Sequence, residues 1–269
     1  MFSARKVLLG AVFVLGSALS ASAADLYGGS IKDAPEMAPM PAASAGWYLR
    51  VDGGYNWFNT PGVEMDYGFT AHDTKLDGTW SIGGGIGRYF GRGFRGDITV
   101  DHLFNSNVEG EFCGCDGTSH NAKFDFSSTV VLANLYYDFN RGGRFVPYIG
   151  AGIGFAHNEA GSGSVTDDCG CAEGSIARGS SNSFAAAGMA GVSWKIRGGE
   201  TTYVGGLKDE PVAVNSGHAL YLDFGYRFLY LGDVKTGEIS WENDAPLVDP
   251  KLKDITAHQF RVGLRYDLN

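Results

Sequence analysis

The sequence predicts an all-β protein: a closed, antiparallel, up-and-down β-barrel of eight strands that crosses a membrane. Three observations predict this fold. Eight segments after residue 46 alternate apolar and polar residues with a period of two, which is the spacing of strands. Aromatic residues fall at the ends of these segments, and long connections alternate with short ones. An even number of strands lets the sheet close, so that no unpaired edge faces lipid.

The amino-terminal 45 residues predict export and a lead-in. Residues 1–23 carry two basic residues, an apolar run and an Ala-Ser-Ala cleavage site, which is the order of a secretory signal peptide. The apolar run is shorter than the ~20 residues of a membrane-spanning helix. Residues 24–45 are rich in Ala and Pro, and we expect a flexible periplasmic lead-in, with a plug in the lumen as the alternative. Residues 46–269 form the predicted barrel domain.

The eight segments each have two different faces. In the first segment Trp47, Leu49 and Val51 share one face, whereas Arg50 and Asp52 share the other. Each segment reaches the ~9–11 residues that cross a bilayer at a tilt. A soluble sheet with one buried face would alternate in the same way, so the location of the charges must decide. The segments are residues 47–57, 79–90, 94–104, 128–139, 145–157, 183–196, 219–231 and 256–268.

The connections predict which end of the barrel faces outward. Short turns on the periplasmic side and long loops on the outer side are typical of these barrels. The connection 197–218 is too long for a periplasmic turn. Either it is an insertion, or Thr201–Leu207 and Pro211–Asn215 form an extra hairpin, which would allow ten strands. The short turns lie near 91–93 and 141–143, and the long loops are 59–78, 105–127, 158–182 and 232–255.

Aromatic residues at the segment ends predict two girdles. Amphipathic rings favour both membrane interfaces, whereas a soluble sandwich would concentrate them in mid-strand. The predicted periplasmic girdle consists of Trp47, Phe90, Phe94, Phe139, Phe145, Trp194 and Tyr266. The predicted outer girdle consists of Trp57, Trp80, Phe104, Phe155, Phe184, Tyr230 and Phe260.

Five stretches of the chain carry a family resemblance. They are GWYLRVDGGYNW at 46–57, FRGDITVD at 94–101, PYIGAGIGF at 147–155, LDFGYRFLYLG at 222–232 and VGLRYDL at 262–268. With them, residues 46–269 resemble the small alphaproteobacterial outer-membrane β-barrel proteins, which are related to the OmpA transmembrane domain. The resemblance implies a structural or surface role in the outer membrane, since members are described as porin-like, host-contacting or haem-binding. It carries over no catalytic residue.

The carboxyl terminus resembles the signal that the barrel-assembly machinery reads in this family. The matching positions are Gly263, Tyr266 and Leu268. Members usually finish on an aromatic residue, whereas this chain finishes on Leu268 and Asn269. The resemblance therefore implies the assembly machinery as a partner, with a departure at the last residues.

Ten charged residues fall on the inward face of the predicted strands. We expect them to form a paired network, because an eight-stranded interior is just wide enough for side chains and buried charges persist when they are paired. A selectivity lining is the alternative. The ten residues are Arg50, Asp52, Arg95, Asp97, Asp101, Asp138, Asp223, Arg227, Arg261 and Arg265.

Four cysteines form two Cys-Gly-Cys triplets. Cys113 and Cys115 lie in the second long connection, and Cys169 and Cys171 lie in the third. A bridge within a triplet would be strained, so two disulfides between the connections are expected in an oxidising compartment. A four-thiolate metal site is the alternative, although a one-residue gap departs from the usual spacing of such ligands.

The remaining chemistry predicts a structural protein. Loss of residues 1–23 removes two basic residues and no acidic one, which moves the net charge from −9 to −11 and disfavours nucleic acid as a partner. We expect a non-enzymatic outer-membrane protein without a cofactor, which contacts lipid and lipopolysaccharide and contributes to envelope integrity and surface interactions. The alternatives are a narrow, low-conductance porin and a surface receptor for haem or metal. The histidines at the predicted outer rim are His72, His102, His120, His157 and His258.

The strand phase predicts a contrast between two neighbouring residues. Ala133 falls on the lipid face and Asn134 on the interior face of the fourth segment. Ala133→Arg should impair assembly, because a cation near the bilayer midplane costs ~2–4 kcal/mol. Asn134→Arg should be tolerated better, because this residue faces the polar interior.

Overall fold

The structure is a computed structural model. It describes residues 46–64, 70–91, 93–113, 119–139, 143–167, 172–198, 201–204, 212–215, 218–241 and 250–268. Within these ranges only the backbone is described for residues 70–73, 91, 113, 167, 172–173, 201–204 and 212–215. The predicted signal peptide and lead-in lie outside the described residues, and both remain predictions. Within the described ranges, we find no helix with the length and hydropathy needed to span a bilayer.

Fifteen strands make up the described structure. They are β1 (Trp47–Phe58), β2 (Gly62–Glu64), β3 (Thr70–Leu76), β4 (Thr79–Gly91), β5 (Phe94–Cys113), β6 (Ser119–Asp138), β7 (Phe145–Ala160), β8 (Gly163–Asp167), β9 (Ala172–Ile176), β10 (Gly179–Arg197), β11 (Thr201–Val204), β12 (Val212–Asn215), β13 (Leu220–Lys235), β14 (Ile239–Trp241) and β15 (Lys251–Asp267).

Eight of these strands form a ring, which confirms the predicted fold. Each ring strand pairs antiparallel with one ring neighbour on either side. The ring strands are β1, β4, β5, β6, β7, β10, β13 and β15. The last strand returns to the first, from Tyr48 opposite Asp267 to Phe58 opposite Ala257. Each predicted segment lies within or nearly coincides with one ring strand.

The long periplasmic connection forms the suggested hairpin without enlarging the ring. β11 and β12 pair with each other, from Thr201 opposite Asn215 to Val204 opposite Val212. Their two-stranded sheet is separate from the sheet that contains the ring. The ten-strand alternative is therefore wrong, and the barrel has eight strands.

The two faces of the barrel wall are inverted relative to a soluble protein. On β5, Ile98 is 58% exposed and Val100 is 50% exposed, whereas Arg95 on the same strand is fully buried. Apolar side chains therefore point outward and charged side chains point inward. Only a hydrocarbon environment stabilises this arrangement, which decides between the membrane barrel and the soluble sheet.

The predicted outer loops are largely strands. β5 and β6 continue past the predicted segment ends to Cys113 and Ser119, and they stay paired with each other. The sheet around β5 and β6 is extended on both sides by β3, β8, β9 and β14, in the order β14-β9-β8-β6-β5-β3. In addition, β2 pairs with β15. We call the sheet formed by β3, residues 106–113 of β5, residues 119–126 of β6, β8, β9 and β14 the outer extension.

Candidate functional site

Two regions could carry function: the filled lumen and the outer extension. All ten charged residues predicted for the lumen lie inside the barrel, and each is at most 6% exposed. The structure brings them together as ion pairs between neighbouring and facing strands.

At the periplasmic end, Arg265 is the centre of a dense group. Its guanidinium donates to Asp223 at 3.1 Å and to Ser193 at 2.9 Å, and it contacts the hydroxyl of Tyr89. The guanidinium also lies 4.3 Å from the centroid of the Tyr221 ring. The arginine is therefore both hydrogen-bonded and packed against aromatic faces, which is how a buried cation is stabilised.

The central layer is built on Arg50 and Arg95. Arg50 binds Asp52 through two nitrogens, at 2.7 and 2.9 Å, and donates to Asp97 at 3.1 Å. Arg95 pairs with Asp138 at 3.0 Å and lies 4.0 Å above the ring of Tyr136. Charge-assisted hydrogen bonds of this kind satisfy carboxylates that water cannot reach.

The outer end of the network has one shared carboxylate. Asp101 accepts from Arg227 at 2.8 Å and from Arg261 at 3.4 Å. Arg261 also reaches Asp52 at 3.0 Å, which joins this layer to the central one. Six of the ten charges thus form one continuous chain of ion pairs, and the remaining four form the two separate pairs Arg95–Asp138 and Arg265–Asp223.

Buried tyrosines complete the lumen, and the sequence reasoning assigned them no role. Tyr48 and Tyr136 lie directly across from Gly87 and Gly150 in the strand register. A Cβ atom built at either glycine would overlap the facing tyrosine ring. The glycines therefore make the space that the rings occupy. An inward tyrosine with a glycine across from it is a signal that the sequence carries, but it can be used only once the register is known.

Beyond the charged layers, the outer half of the lumen is mainly apolar, with a few buried, hydrogen-bonded polar side chains such as Asn158 and Gln259 among the apolar ones. The fully buried apolar side chains in this part of the lumen include Leu103, Phe126, Val130, Leu229 and Ile255. The rings of Phe58 and Phe126 meet edge to face, with centroids 5.9 Å apart. The described side chains thus fill the interior with a polar plug below and an apolar plug above. The sequence reasoning foresaw the first plug only.

The residues predicted for the periplasmic girdle lie at or near strand ends, whereas residues of the outer girdle such as Phe104 and Phe260 lie within strands that continue past them. Twelve of the fourteen are exposed large side chains on the outer wall. The other two are half-buried: Trp194 stacks on Phe145 with centroids 6.0 Å apart, and Tyr230 donates to Asp254 at 3.0 Å. Of the predicted assembly signal, Tyr266 and Leu268 are exposed, whereas Gly263 is buried.

The outer extension has its own small core. One face of this sheet is covered by a cluster of buried apolar side chains, from Phe112, Ala122, Val165, Ile176 and Ile239. Each comes from a different strand, so this core holds together segments that are far apart in the sequence. His120 lies between the rings of Phe112 and Trp241, with both centroid distances at 5.3 Å.

An ion pair joins β2 to β15 on the outer side. Lys253 approaches Glu64 at 2.6 Å. The hydrogen bond and the charge of Lys253 hold the pKa of the Glu64 carboxyl below its ordinary value, and the pKa of Lys253 is raised in turn. Both side chains are well exposed, so the pair adds little stability.

The predicted histidines do not converge on one point. His102 and His157 lie on the outer wall on β5 and β7, and His258 lies on β15. His120 is buried in the extension, and the side chain of His72 lies outside the described residues. In the part of the chain that the structure describes, no group of three or more His, Cys, Asp and Glu side chains is arranged to hold a metal ion.

The cysteines lie outside the described side chains, but the strands that flank them are adjacent. Cys113 pairs with Ser119 in the backbone register, and His120 pairs with Asp167 on β8. The ends of the two connections that carry the triplets are therefore one strand apart, about 4.8 Å. This proximity supports the predicted pairing of the triplets with each other.

We expect non-reducing tryptic mapping to find one cross-linked species that joins residues 96–123 to residues 145–178. Each peptide carries one complete triplet and no internal lysine or arginine before its last residue. Reduction should release the two peptides separately. Four free thiols, separate peptides under non-reducing conditions, or zinc retained in stoichiometric amount would contradict the two inter-loop disulfides.

Comparison with known proteins agrees with this architecture. The family model described as "Outer membrane protein beta-barrel domain" matches residues 11–267. An uncharacterized protein of Brucella abortus (strain 2308) is 31% identical over 300 residues, which cover 96% of this chain and 97% of that protein. A protein of Rickettsia canadensis (strain McKiel), named as a candidate adhesin, is 30% identical over 112 residues, which cover 40% of this chain and 48% of its own.

A solved structure also aligns along most of the chain. The outer membrane protein OprG from Pseudomonas aeruginosa has 13% sequence identity and a TM-score of 0.47, and the alignment covers 84% of this chain and 97% of that one. The match of the family model over nearly the whole length, together with the Brucella relative, fixes the assignment. This chain belongs to the family of outer-membrane β-barrel domain proteins.

Proposed function

We propose that this protein is a non-conducting outer-membrane anchor that presents a rigid strand extension for contacts at the cell surface, and that it contributes to envelope integrity. The observation that carries the proposal is the continuation of paired strands beyond the outer girdle. β5 runs from Phe104 at the girdle to Cys113, a path of roughly 30 Å along the strand. The paired wall therefore reaches well beyond the lipid.

The core of the extension supports a role in binding. Val165 and Ile239 are fully buried between strands that come from separate connections. A surface that is ordered before it meets a partner loses less conformational entropy on binding than a flexible loop does. The Rickettsia relative named as a candidate adhesin supports the same direction of function.

The filled lumen argues against the porin alternative. A conducting pore needs a continuous aqueous path, whereas the described interior is closed by an ion-pair network and then by an apolar layer. Opening a path would separate buried ion pairs, each at a cost of several kcal/mol. The haem and metal alternative has weaker support, since the described histidines of the outer wall lie on three separate strands.

The test compares two aspartate substitutions on β8. Val165→Asp places a carboxylate in the core of the extension, whereas Thr166→Asp places one on its half-exposed opposite face. We expect Val165→Asp to make the extension protease-sensitive on intact cells and to lower adherence to cultured epithelial cells several-fold. Thr166→Asp should behave like the wild type.

Two readouts keep this test interpretable. Both variants should retain the heat-modifiable gel mobility of a folded barrel, because the ring strands are untouched. The wild-type protein should add no conductance steps to a planar bilayer. Wild-type adherence by Val165→Asp, or discrete conductance steps from the wild-type protein, would overturn the proposal.

A further inference from the structure

We propose that the wall formed by β5, β6, β7 and β10 binds the phosphorylated sugar headgroup of an outer-leaflet glycolipid. This inference rests on the proposed function in one respect, namely that the protein is an envelope component. It adds a specific ligand class and a specific place. The place is a polar row within the outer girdle and a polar cleft immediately beyond it.

The polar row crosses four strands on the outward face. The row consists of consecutive cross-strand partners in the register, which are His102, Thr129, His157 and Asn182. The Nδ1 atom of His102 lies 3.0 Å from the hydroxyl of Thr129, and the Nδ1 atom of His157 lies 2.7 Å from Oδ1 of Asn182. These bonds orient both imidazole rings. Nε2 of His102 is left toward the surroundings of the barrel, whereas Nε2 of His157 lies 3.4 Å from a carboxylate oxygen of Glu159.

The polar row lies where a hydrogen-bonding ligand at the membrane interface would stabilise it. On its own strands the row lies next to the girdle residues Phe104, Phe155 and Phe184, whose rings are exposed on the outward face. Polar groups that face lipid are costly unless something at the interface hydrogen-bonds to them. Phosphate is well suited, because its oxygens accept hydrogen bonds from imidazole N–H groups and attract protonated imidazoles.

A polar cleft begins two positions farther out on the same strands. It has a volume of about 410 Å³, within the usual range of ligand sites. It is lined by carboxylates, an amide, a guanidinium and several hydroxyls, from Asn105, Asp125, Ser127, Glu159, Ser162, Arg178 and Ser180. This mixture of acceptors and donors suits the hydroxyl groups of a sugar.

The charges of the wall also fit a phosphorylated sugar. Arg178 is exposed at the rim of the cleft and can meet a second phosphate or an acidic sugar. Glu159 lies at the border between the polar row and the cleft, 3.4 Å from Nε2 of His157. The carboxylates of Asp125 and Glu159 would accept from sugar hydroxyls and not from phosphate, so the two parts of the wall recognise the two parts of one headgroup.

The opposite wall provides a matched control. His258 lies on β15 at a similar level, and its Nδ1 atom is 2.6 Å from the hydroxyl of Tyr226. Its cross-strand partners are Trp57 and Phe228, both aromatic. The site is therefore assigned to one wall, and removal of the His258 imidazole should not affect it.

The experiment measures binding of lipid A to the full chain in phosphatidylcholine nanodiscs. Bisphosphorylated lipid A should bind, and its dephosphorylated form should bind about tenfold more weakly, the loss expected when a charge-assisted hydrogen bond disappears. His102→Ala, His157→Ala and Arg178→Ala should each weaken binding of the bisphosphorylated form, whereas His258→Ala should bind like the wild type. Heat-modifiable mobility checks that each variant is folded, and Arg178→Ala alters only an exposed side chain.

The outcomes separate this inference from the proposed function. Equal binding of both lipid A forms, or equal effects of all three histidine substitutions, would overturn the assigned site. Loss of adherence in Val165→Asp with lipid A binding retained would support both proposals independently. Intact adherence in His102→Ala with lipid A binding lost would show that the headgroup site and the surface contact are separate.

Discussion

Replacing Arg95 by alanine is expected to lower the free energy of unfolding of the barrel by about 3–5 kcal/mol, the usual cost of removing one partner of a buried ion pair. Arg95 is fully buried, pairs with Asp138 at 3.0 Å and packs 4.0 and 5.0 Å from the rings of Tyr136 and Tyr148. The substitution removes from the lumen the buried cation that the Asp138 carboxylate contacts at 3.0 Å. It also leaves a space among the tyrosine rings.

The measurement is equilibrium unfolding in urea with the protein in lipid vesicles, followed by tryptophan fluorescence. Arg88→Ala is the matched control. Arg88 lies on β4 near the same end of the barrel, is exposed, and rests 5.7 Å from the ring of Trp47. Its loss should cost at most about 1 kcal/mol. Similar costs for the two substitutions would show that the lumen network contributes no more than a surface contact.

A double substitution separates charge pairing from packing. Arg95→Met combined with Asp138→Leu removes both charges and refills part of the space with apolar atoms. Replacement of buried ion pairs by hydrophobic side chains of similar volume is often neutral or stabilising. We therefore expect the double variant to be more stable than Arg95→Ala. If it is less stable, the surrounding tyrosines depend on the charges for their own hydrogen bonds.

Much of the fold could be predicted because a membrane barrel repeats one simple pattern. On β1, the sequence from Trp47 to Trp57 alternates outward apolar residues with inward polar ones, and the structure has this phase. The same phase places Arg50 and Asp52 in the lumen. The side-chain period of a strand is two, so a correct assignment at one residue fixes the face of every other residue in that strand.

The outer extension could not be predicted by the same pattern. Beyond the lipid, the outward face no longer has to be apolar, and Glu109 and Lys123 occupy it. Only the inward residues, such as Val108 and Phe112, keep the alternation, and their core depends on strands from distant connections. The predicted segments are therefore shorter than the strands of the structure, and part of each predicted long loop is paired β-structure.

The interior was predicted by residue type but not by packing. The ten charges were identified from their strand positions alone, whereas their partners depend on contacts across the lumen. Asp101 illustrates this, because both of its arginines come from strands more than a hundred residues away. The apolar layer formed by residues such as Leu103 and Leu229 also occupies inward positions that resemble an ordinary strand core.

The largest effect on the lipid face is expected at Ala133. It is exposed on β6, with Ile98 and Ile153 as its cross-strand partners, and those two side chains are 58% and 63% exposed to the lipid region. Ala133→Arg places a cation among apolar groups at mid-barrel and should cost about 2–4 kcal/mol. Reduced heat-modifiable protein in outer-membrane fractions is the measurement.

The structure changes the choice of control for this substitution. Asn134, the expected tolerant neighbour, is buried, donates to Asp97 at 2.8 Å and to Thr99 at 3.1 Å, and faces Gly152 so closely that a Cβ there would overlap it. An arginine has no room at this position, so Asn134→Arg should also be destabilising. Overpacking typically costs about 1–3 kcal/mol, and the lost hydrogen bonds add to that cost.

The appropriate control lies on the same outward face but beyond the lipid. Asn121 is half-exposed on β6, opposite Glu111 and Thr166 in the outer extension. Asn121→Arg adds the same cation where water can solvate it, so assembly should be close to that of the wild type. If Ala133→Arg assembled as well as Asn121→Arg, this face of β6 would not lie in hydrocarbon, and the membrane level of the whole barrel would have to be reassigned.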